Sequence, residues 1–479
     1  MVQLKGQSGC AKGGPISGSD FLQLRAEDAP AKGLTAWLAA GLRDAIAGGR
    51  LAAGARLPAT RALAEDLGVS RGVVVEAYQR LIDEGLAAGR TGAGTTVVGI
   101  TDKSDLPSDR RRALDDLRLP LPPTDGIDID LSPGVPDLSA FPRQQWLRAE
   151  RAVLDEITAA DLGYGDPGGA PRLRAELAGW LRRTRGIRAE PDDIIVVGGV
   201  AQALALLAQT LRAAGVTAAA VEDPGSRGAR DQMSHWGVRP EGVPVDGEGI
   251  LVDRLTQEVA VLTPAHQFPT GVVLSPARRR QLLLAWGGLV VEDDYDAEHR
   301  YDRAPVAALQ GSAPERVAYA GSVSKSLAPG MRLGWLIAPR RLQPALLEAK
   351  HDSDLGSPAI PQLVLARLLA SGDYERHLRL VRARQRRRRD ALLGGLHTHL
   401  PRAEVTGVAA GLHLLILLPE PMSDAILAER AAANGVLVHP LSWHRLEPGR
   451  PGLVLGYAAH SPDRLADAAK RLGAALIPR

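Results

Sequence analysis

The residues best equipped for chemistry lie in one short stretch, Gly321-Ser322-Val323-Ser324-Lys325-Ser326-Leu327-Ala328-Pro329-Gly330-Met331-Arg332-Leu333-Gly334-Trp335. A single lysine among small hydroxylated residues and glycines is poorly placed to solubilise a surface. Partly desolvated, its neutral amine can form a Schiff base with an aldehyde. The small neighbours admit a bulky ligand, and hydroxyls, backbone N–H groups and Arg332 can hold a phosphate. The bland alternative is a Ser-rich loop with a solvated lysine. Other stretches carry polar groups at the ends of apolar runs. Gly198-Gly199-Val200-Ala201 opens a helix whose first N–H groups suit a phosphate dianion. Thr263 to Gly271 is a rigid turn offering His266, and Leu289 to Asp296 ends an apolar run in a cluster of acids. A carboxylate there can keep a ring nitrogen protonated, and a nearby tyrosine can bond a ring oxygen. Taken singly, a histidine such as His266 is more often a hydrogen-bonded turn histidine, and acidic strand ends are often merely solvated.

These stretches need a scaffold that brings them to one edge. Short apolar runs at 194–197, 218–222, 260–262, 289–292 and 316–320 alternate with helical stretches, the pattern of a mainly parallel α/β sheet. Such sheets collect ligands at the carboxyl ends of their strands. From about Pro358 long helices are followed by strand-like runs at 411–418, 435–438 and 453–457, expected to form a smaller α+β sub-domain. The arginine-rich run at 382–390 lies within a helical period set by Leu378, Val381, Leu392 and Leu393 and reads as a solvated helix face.

A chain of 479 residues exceeds one ordinary core and implies several domains or sub-domains. With 45% hydrophobic and 24% charged residues it is globular rather than disordered, and a net charge of +3 argues neither for nor against nucleic acid. The one cysteine, Cys10, excludes an internal disulfide and a multi-cysteine metal site, and no metal is expected. No apolar run suffices to cross a bilayer and the start lacks a signal-peptide pattern, so the expected compartment is the cytoplasm.

The N-terminal part has its own organisation. Residues 1–30 read as a mobile leader. Leu34, Leu38, Leu42 and Ile46 mark a helix ended by Gly48-Gly49; a second helix covers 59–67; Ser70 is a natural N-cap for a third over 71–82. Two strands at 86–90 and 95–98 then flank a Gly-rich turn. Helix, helix, turn, helix and hairpin over 31–98 describe a winged helix-turn-helix. Ser70 and Arg71 would approach base edges or phosphates, Thr60 and Arg61 the backbone, and Arg90 and Thr91 of the wing an adjacent groove. Residues 34–98 hold seven arginines and six acids, so binding would depend on where the arginines lie. Residues 99–127, rich in Asp, Arg, Pro and Ser, read as a solvated tether before a larger domain over 128–479.

RLPATRALAEDLGVSRGVVVEAYQRLIDEGL, closed by GAGTTVV, resembles the DNA-binding domain of the GntR superfamily. The ordered motifs after Asp128 resemble a fold-type I, aminotransferase-like domain that binds pyridoxal 5'-phosphate (PLP). The combination, with VEDDYDAEHRY, TPAHQFPTG and SKSLAPGMRLGW, resembles the MocR/GabR-type transcriptional regulators. The resemblance implies Lys325 as the residue that links PLP and Asp293 as partner of the pyridine nitrogen, preferred over Asp294 because it directly ends the strand. It places Tyr295 and His266 near the phenolic oxygen, and Gly199, Val200, Ala201, Ser322, Ser324 and Arg332 around the phosphate. Tyr164 would reach the phosphate of the neighbouring subunit in a head-to-tail homodimer bound to an operator in double-stranded DNA.

Two positions depart from that pattern. Ser226 stands where a ring-stacking tyrosine is common, and Val454 where aminotransferases carry an arginine for the substrate carboxylate. The resulting expectation is a regulator that senses PLP or an amine rather than a turnover enzyme. The alternative is an active aminotransferase with an accessory DNA-binding domain; a dimerisation scaffold that has lost its cofactor is a third reading. Arg227, Arg230 and Arg445 are candidates to replace the missing arginine.

Overall fold

A computed structural model describes residues 30, 33–90, 94–98, 126–301, 306–419 and 422–476. Thr91, residues 1–29 of the expected leader and 99–125 of the expected tether lie outside the described residues. The chain forms two compact units, within 1–121 and within 122–479.

In the first unit, α1 (Leu34–Ala47), α2 (Thr60–Asp66) and α3 (Arg71–Asp83) precede an antiparallel hairpin of β1 (Ala87–Arg90) and β2 (Gly94–Val97). Apolar residues on the inner faces of the three helices, Leu38, Leu42, Leu63, Val74 and Leu81, close one core with Ala87 and Val97 of the hairpin. Tyr78 donates its hydroxyl hydrogen to Pro58 O at 3.0 Å, satisfying a buried group and fixing the turn before α2.

The second unit contains β3 (Ile129–Asp130), β4 (Ile194–Val197), β5 (Ala218–Asp223), β6 (Arg239–Asp246), β7 (Gly249–Ile250), β8 (Val259–Leu262), β9 (Leu289–Asp294), β10 (Val317–Ser322) and β11 (Gly334–Ile337). Eight of these form a mixed sheet ordered β4-β11-β10-β9-β8-β5-β6-β7. Pairs β10–β9, β9–β8, β8–β5 and β5–β6 are parallel, whereas β11 runs antiparallel to both neighbours and β7 to β6. The Val-rich strands are buried on both faces, against one layer around Leu177, Trp180 and Leu365 and another around Leu204, Leu207 and Met233. After the helix Asp373–His399 come β12 (Glu404–Thr406), β13 (His413–Leu417), β14 (Val436–Leu437), β15 (His439–Pro440) and β16 (Gly452–Gly456). β12, β13, β16 and β15 make the smaller sheet, while β14 pairs with β3.

Two readings of the sequence need correction. β9 continues through Asp294, so Asp293 is not the strand's last residue. The arginine run at 382–390 is only partly a solvated face: Arg384 and Arg388 both grip the buried Asp137, at 2.7 and 2.8 Å. Among the described residues, no helix is long and apolar enough to cross a membrane.

Candidate functional site

The carboxyl edge of the large sheet gathers the polar motifs. β10 ends at Ser322, and the loop that returns into antiparallel β11 carries Lys325. The Lys325 ammonium group donates to Gly134 O at 2.6 Å. Burial lowers its pKa, opposed by the nearby charges of Asp296 and Asp293. Gly134 has φ of 83°, a conformation that favours glycine, and a Cβ there would stand 3.2 Å from Lys325 Nζ, close enough to press the amine aside by a few tenths of an ångström.

The adjacent β9 supplies consecutive aspartates with opposite fates, because neighbouring side chains on a strand point to opposite faces. Asp294 Oδ2 accepts from Arg185 Nε at 2.7 Å and from the Tyr319 hydroxyl at 2.5 Å. Asp293 is 9% exposed, and its Oδ1 has no hydrogen-bond partner. Burial, then the charges of Asp294, Asp296 and Glu222, push its carboxyl up to about 7. Beyond the strand, His266 Nδ1 lies 2.9 Å from Asp296 Oδ2 and 3.1 Å from the Tyr295 hydroxyl. His413 is close by: it, His266 and Asp296 bring ligand-type atoms within 4.8 Å of one another.

A second cluster forms where β4 meets the helix Val200–Ala213. Gly199 is its N-cap, with φ of 98°, and the N–H groups of Val200 and Ala201 occupy the first turn, where no preceding carbonyl can pair with them. The φ of 98° is what favours glycine at position 199; a Cβ there would meet Arg332 Nη1 at 3.4 Å and Ser324 Oγ at 3.7 Å in ordinary contact, which shows how closely those groups gather around it. Arg332 is held at φ of 47°, a left-handed conformation that non-glycine residues seldom adopt. Ser322 Oγ accepts from Ser324 N at 3.3 Å. Tyr164 stands apart, 85% exposed, beside a cavity of about 730 Å³ lined by 160–166 and 354–363.

The two departures have structural counterparts. Ser226 Oγ accepts from Ala229 N at 3.3 Å and caps the helix Arg227–His235. Val454 is buried in β16 against Leu415 and Leu441. None of the three candidate arginines is simply waiting for a carboxylate. Arg230 donates to His444 O at 2.8 Å and Trp443 O at 3.1 Å; Arg227 pairs with Asp231 at 3.6 Å; Arg445 reaches Arg450 O at 3.4 Å. The Asp223 carboxylate accepts from Leu446 N and Glu447 N at 2.9 and 3.0 Å, so 443–447 is bound down over the end of β5.

In the first unit Ser70 caps α3, its Oγ accepting from Val73 N at 3.4 Å. Arg71 Nε donates to Thr60 Oγ1 at 3.4 Å, which joins the starts of α2 and α3. Arg61 and Arg71 are exposed, and Arg90 closes β1. Arg56, whose backbone bridges to Thr96, lays its guanidinium against Gly94 beside the wing. Gly134, Arg185, Tyr319 and Arg56 lack any local signal in the sequence; each is recruited across the fold.

Fold and site together define a DNA-binding regulator built on an aminotransferase-like domain. The sequence matches the family of aminotransferases class I and II over residues 127–472 and the gntR family of bacterial regulatory proteins over 34–97. The pyridoxine biosynthesis transcriptional regulator PdxR of Corynebacterium glutamicum is 35% identical over 437 residues, 88% of this chain and 92% of that protein. The probable rhizopine catabolism regulatory protein MocR of Rhizobium meliloti is 31% identical over 458 residues, 91% of this chain and 92% of the relative. The solved structure of LysN, α-aminoadipate aminotransferase from Thermus thermophilus, complexed with N-(5'-phosphopyridoxyl)-L-leucine, superposes with a TM-score of 0.66 at 28% identity, over 73% of this chain and 92% of that one. The chain belongs to the MocR/PdxR-type transcriptional regulators of the GntR family, which join a DNA-binding winged helix-turn-helix to a fold-type I domain for PLP.

Proposed function

We propose that this regulator couples its hold on DNA to PLP, or to an amine that reacts with PLP, in the larger unit. One observation carries the reading. Lys325, desolvated, and Asp293, with an oxygen left unpartnered, lie on the sheet edge that also bears the Gly199–Ser324–Arg332 cradle, while the position for a substrate carboxylate is apolar Val454. When bound, PLP supplies an aldehyde and an electron-withdrawing ring. Lys325 offers the amine for its attachment, steered by Gly134 O. The Asp293 carboxylate would accept a hydrogen bond from the pyridinium N–H and so keep the ring nitrogen protonated, with Tyr295 and His266 beside the ring oxygen. The N–H groups of Gly199, Val200 and Ala201, with Ser322, Ser324 and Arg332, hold the phosphate. Loss of an arginine at 454 removes charged hydrogen bonds worth roughly 1.5–3 kcal/mol each, which disfavours sustained turnover of α-amino acids.

In this reading residues 31–98 are the DNA reader, 99–127 a tether after a leader at 1–30, and 128–479 the sensor, all in the cytoplasm. Thr60, Arg61, Ser70 and Arg71 meet the operator, with Arg90 and Thr91 at the wing. Tyr164, exposed in the single chain, completes the phosphate site of the other subunit in a head-to-tail homodimer. Binding to the DNA upstream of the protein's own gene, with and without PLP, tests the reading in wild type and Lys325→Ala. A PLP-dependent change in affinity that the variant loses is expected. Specific binding indifferent to PLP would remove PLP as effector, and absent DNA binding combined with steady amino transfer to a keto acid would replace the reading with the enzyme.

A further inference from the structure

The helix Asp373–His399 sorts its arginines by face. Arg384 and Arg388 turn inward to Asp137, and Arg376 pairs with Asp373 at 2.7 Å. Arg379, Arg382, Arg386 and Arg387 follow a spacing of three, four and one, which puts them along one side of the helix. They line a depression of about 520 Å³ with Ala383, Arg300 and Tyr301. Among the described residues no carboxylate lies within ion-pair distance of those four helix arginines. Arg300, 5% exposed, and half-buried Arg382 form its floor, and Arg379, Arg386 and Arg387 its exposed rim. Burial depresses the Arg382 pKa, with buried Glu298 opposing and Arg379 reinforcing.

We propose that this depression is a second ligand site, for a small anion carrying two or more phosphoryl groups. Guanidinium forks match phosphate oxygens two at a time, and several of them facing one recess call for more charge than a single phosphate brings. Half-buried Arg382 is a recessed donor within reach of a small polyphosphate, whereas a duplex backbone meets donors that protrude; Arg300 below it is engaged elsewhere and only shapes the floor. The floor also continues into the ring site. Arg300 and Tyr301 directly follow the segment bearing Asp293, Tyr295 and Asp296, and the Tyr301 hydroxyl donates to Gly411 O. Gly411 in turn touches His266 and Asp296 so closely that a Cβ would clash with both. Filling the recess therefore bears on the groups around the PLP ring through contiguous packing.

The test is calorimetric titration of full-length, PLP-saturated protein with inorganic pyrophosphate, PLP keeping the first phosphate site filled. Wild type should bind saturably. The exposed-rim double variant Arg379→Gln with Arg386→Gln should bind about tenfold more weakly or worse, and Arg367→Gln, an exposed arginine on another helix, like wild type. The double variant's affinity for the upstream DNA at fixed salt should stay within about twofold of wild type. Equal pyrophosphate binding by wild type and double variant, or no saturable binding by wild type, overturns the site. A fall in DNA affinity with no saturable pyrophosphate binding overturns it in favour of a duplex contact.

Discussion

Replacing Asp293 by Asn should remove a penalty that the cofactor-free protein carries at neutral and alkaline pH. In the fold the carboxyl is pushed from its ordinary 3.8 up to about 7, first by burial and then by Asp294, Asp296 and Glu222. Between those two values the folded chain keeps a proton that the unfolded chain releases, so stability falls as pH rises through that window. The whole effect is on the order of 4 kcal/mol, at about 1.36 kcal/mol per unit, present in full above about pH 7 and absent below about pH 4. Between pH 5 and pH 8 it amounts to roughly 2–3 kcal/mol. Urea unfolding of PLP-free wild type and Asp293→Asn at those two pH values reads it directly. Glu292 and Glu298 are also raised, and since Asp293 is not among the causes of their shifts they give both proteins the same slope. Glu222 is raised too, but its charge and that of Asp293 interact, so the difference reads Asp293 together with its effect on Glu222.

PLP affinity should move the other way. Asn offers no charge to the pyridinium, and a charged hydrogen bond of roughly 1.5–3 kcal/mol corresponds to a ten- to hundredfold loss. Parallel pH profiles for the two proteins would refute the burial argument. Unchanged PLP affinity would refute the assignment of Asp293 to the ring nitrogen and bring Asp294 forward despite its bonds to Arg185 and Tyr319.

Three other perturbations have defined outcomes. Arg71→Ala should lower specific DNA affinity while PLP binding survives, and anisotropy titration that shows no loss would mean α3 is not the reading helix. Ser70→Ala removes the N-cap bond to Val73 N and should cost about 1 kcal/mol in the first unit, seen as a lower melting midpoint. Val454→Arg forces a guanidinium between Leu415 and Leu441 and should destabilise the larger unit by several kcal/mol, without creating an aminotransferase, as urea unfolding and an amino-donor screen would show.

The elements legible in the sequence were those with a local pattern. Runs such as Ile194–Val197 and Leu289–Asp294 are continuous apolar strands, and small-residue motifs follow several of them. β6 escaped because it alternates charge, proline and glycine, and it is only partly buried. β11 escaped because it starts within the lysine motif, at Gly334 and Trp335, where its antiparallel return looks like loop. The sequence favours Asp293 over Asp294 only as the residue expected to end the strand; the strand runs through Asp294, and the two are separated by partners instead. Arg185, which occupies Asp294, lies 109 residues away, and Gly134, which holds Lys325, lies 191 away. No window along the chain contains either relation.

The same limit explains the arginine run and says what kind of information it holds. A helical period can tell that 382–390 has a wet side and a dry side, but charge counted along the chain cannot tell a spent cation from an available one. That distinction is set by Asp137, which arrives from before the first helix of the larger unit and engages both Arg384 and Arg388. Once those two are accounted for, the remaining row converges on a recess floored by the segment that runs back to Asp293. A solvated face would scatter its arginines among acids, since isolated surface pairs cost little and repulsion is relieved by mixing signs. A row of like charge around a concavity keeps its mutual repulsion in the free protein, and a bound polyanion would relieve it. The strain is electrostatic rather than conformational, so the ligand it favours is defined by charge density before shape.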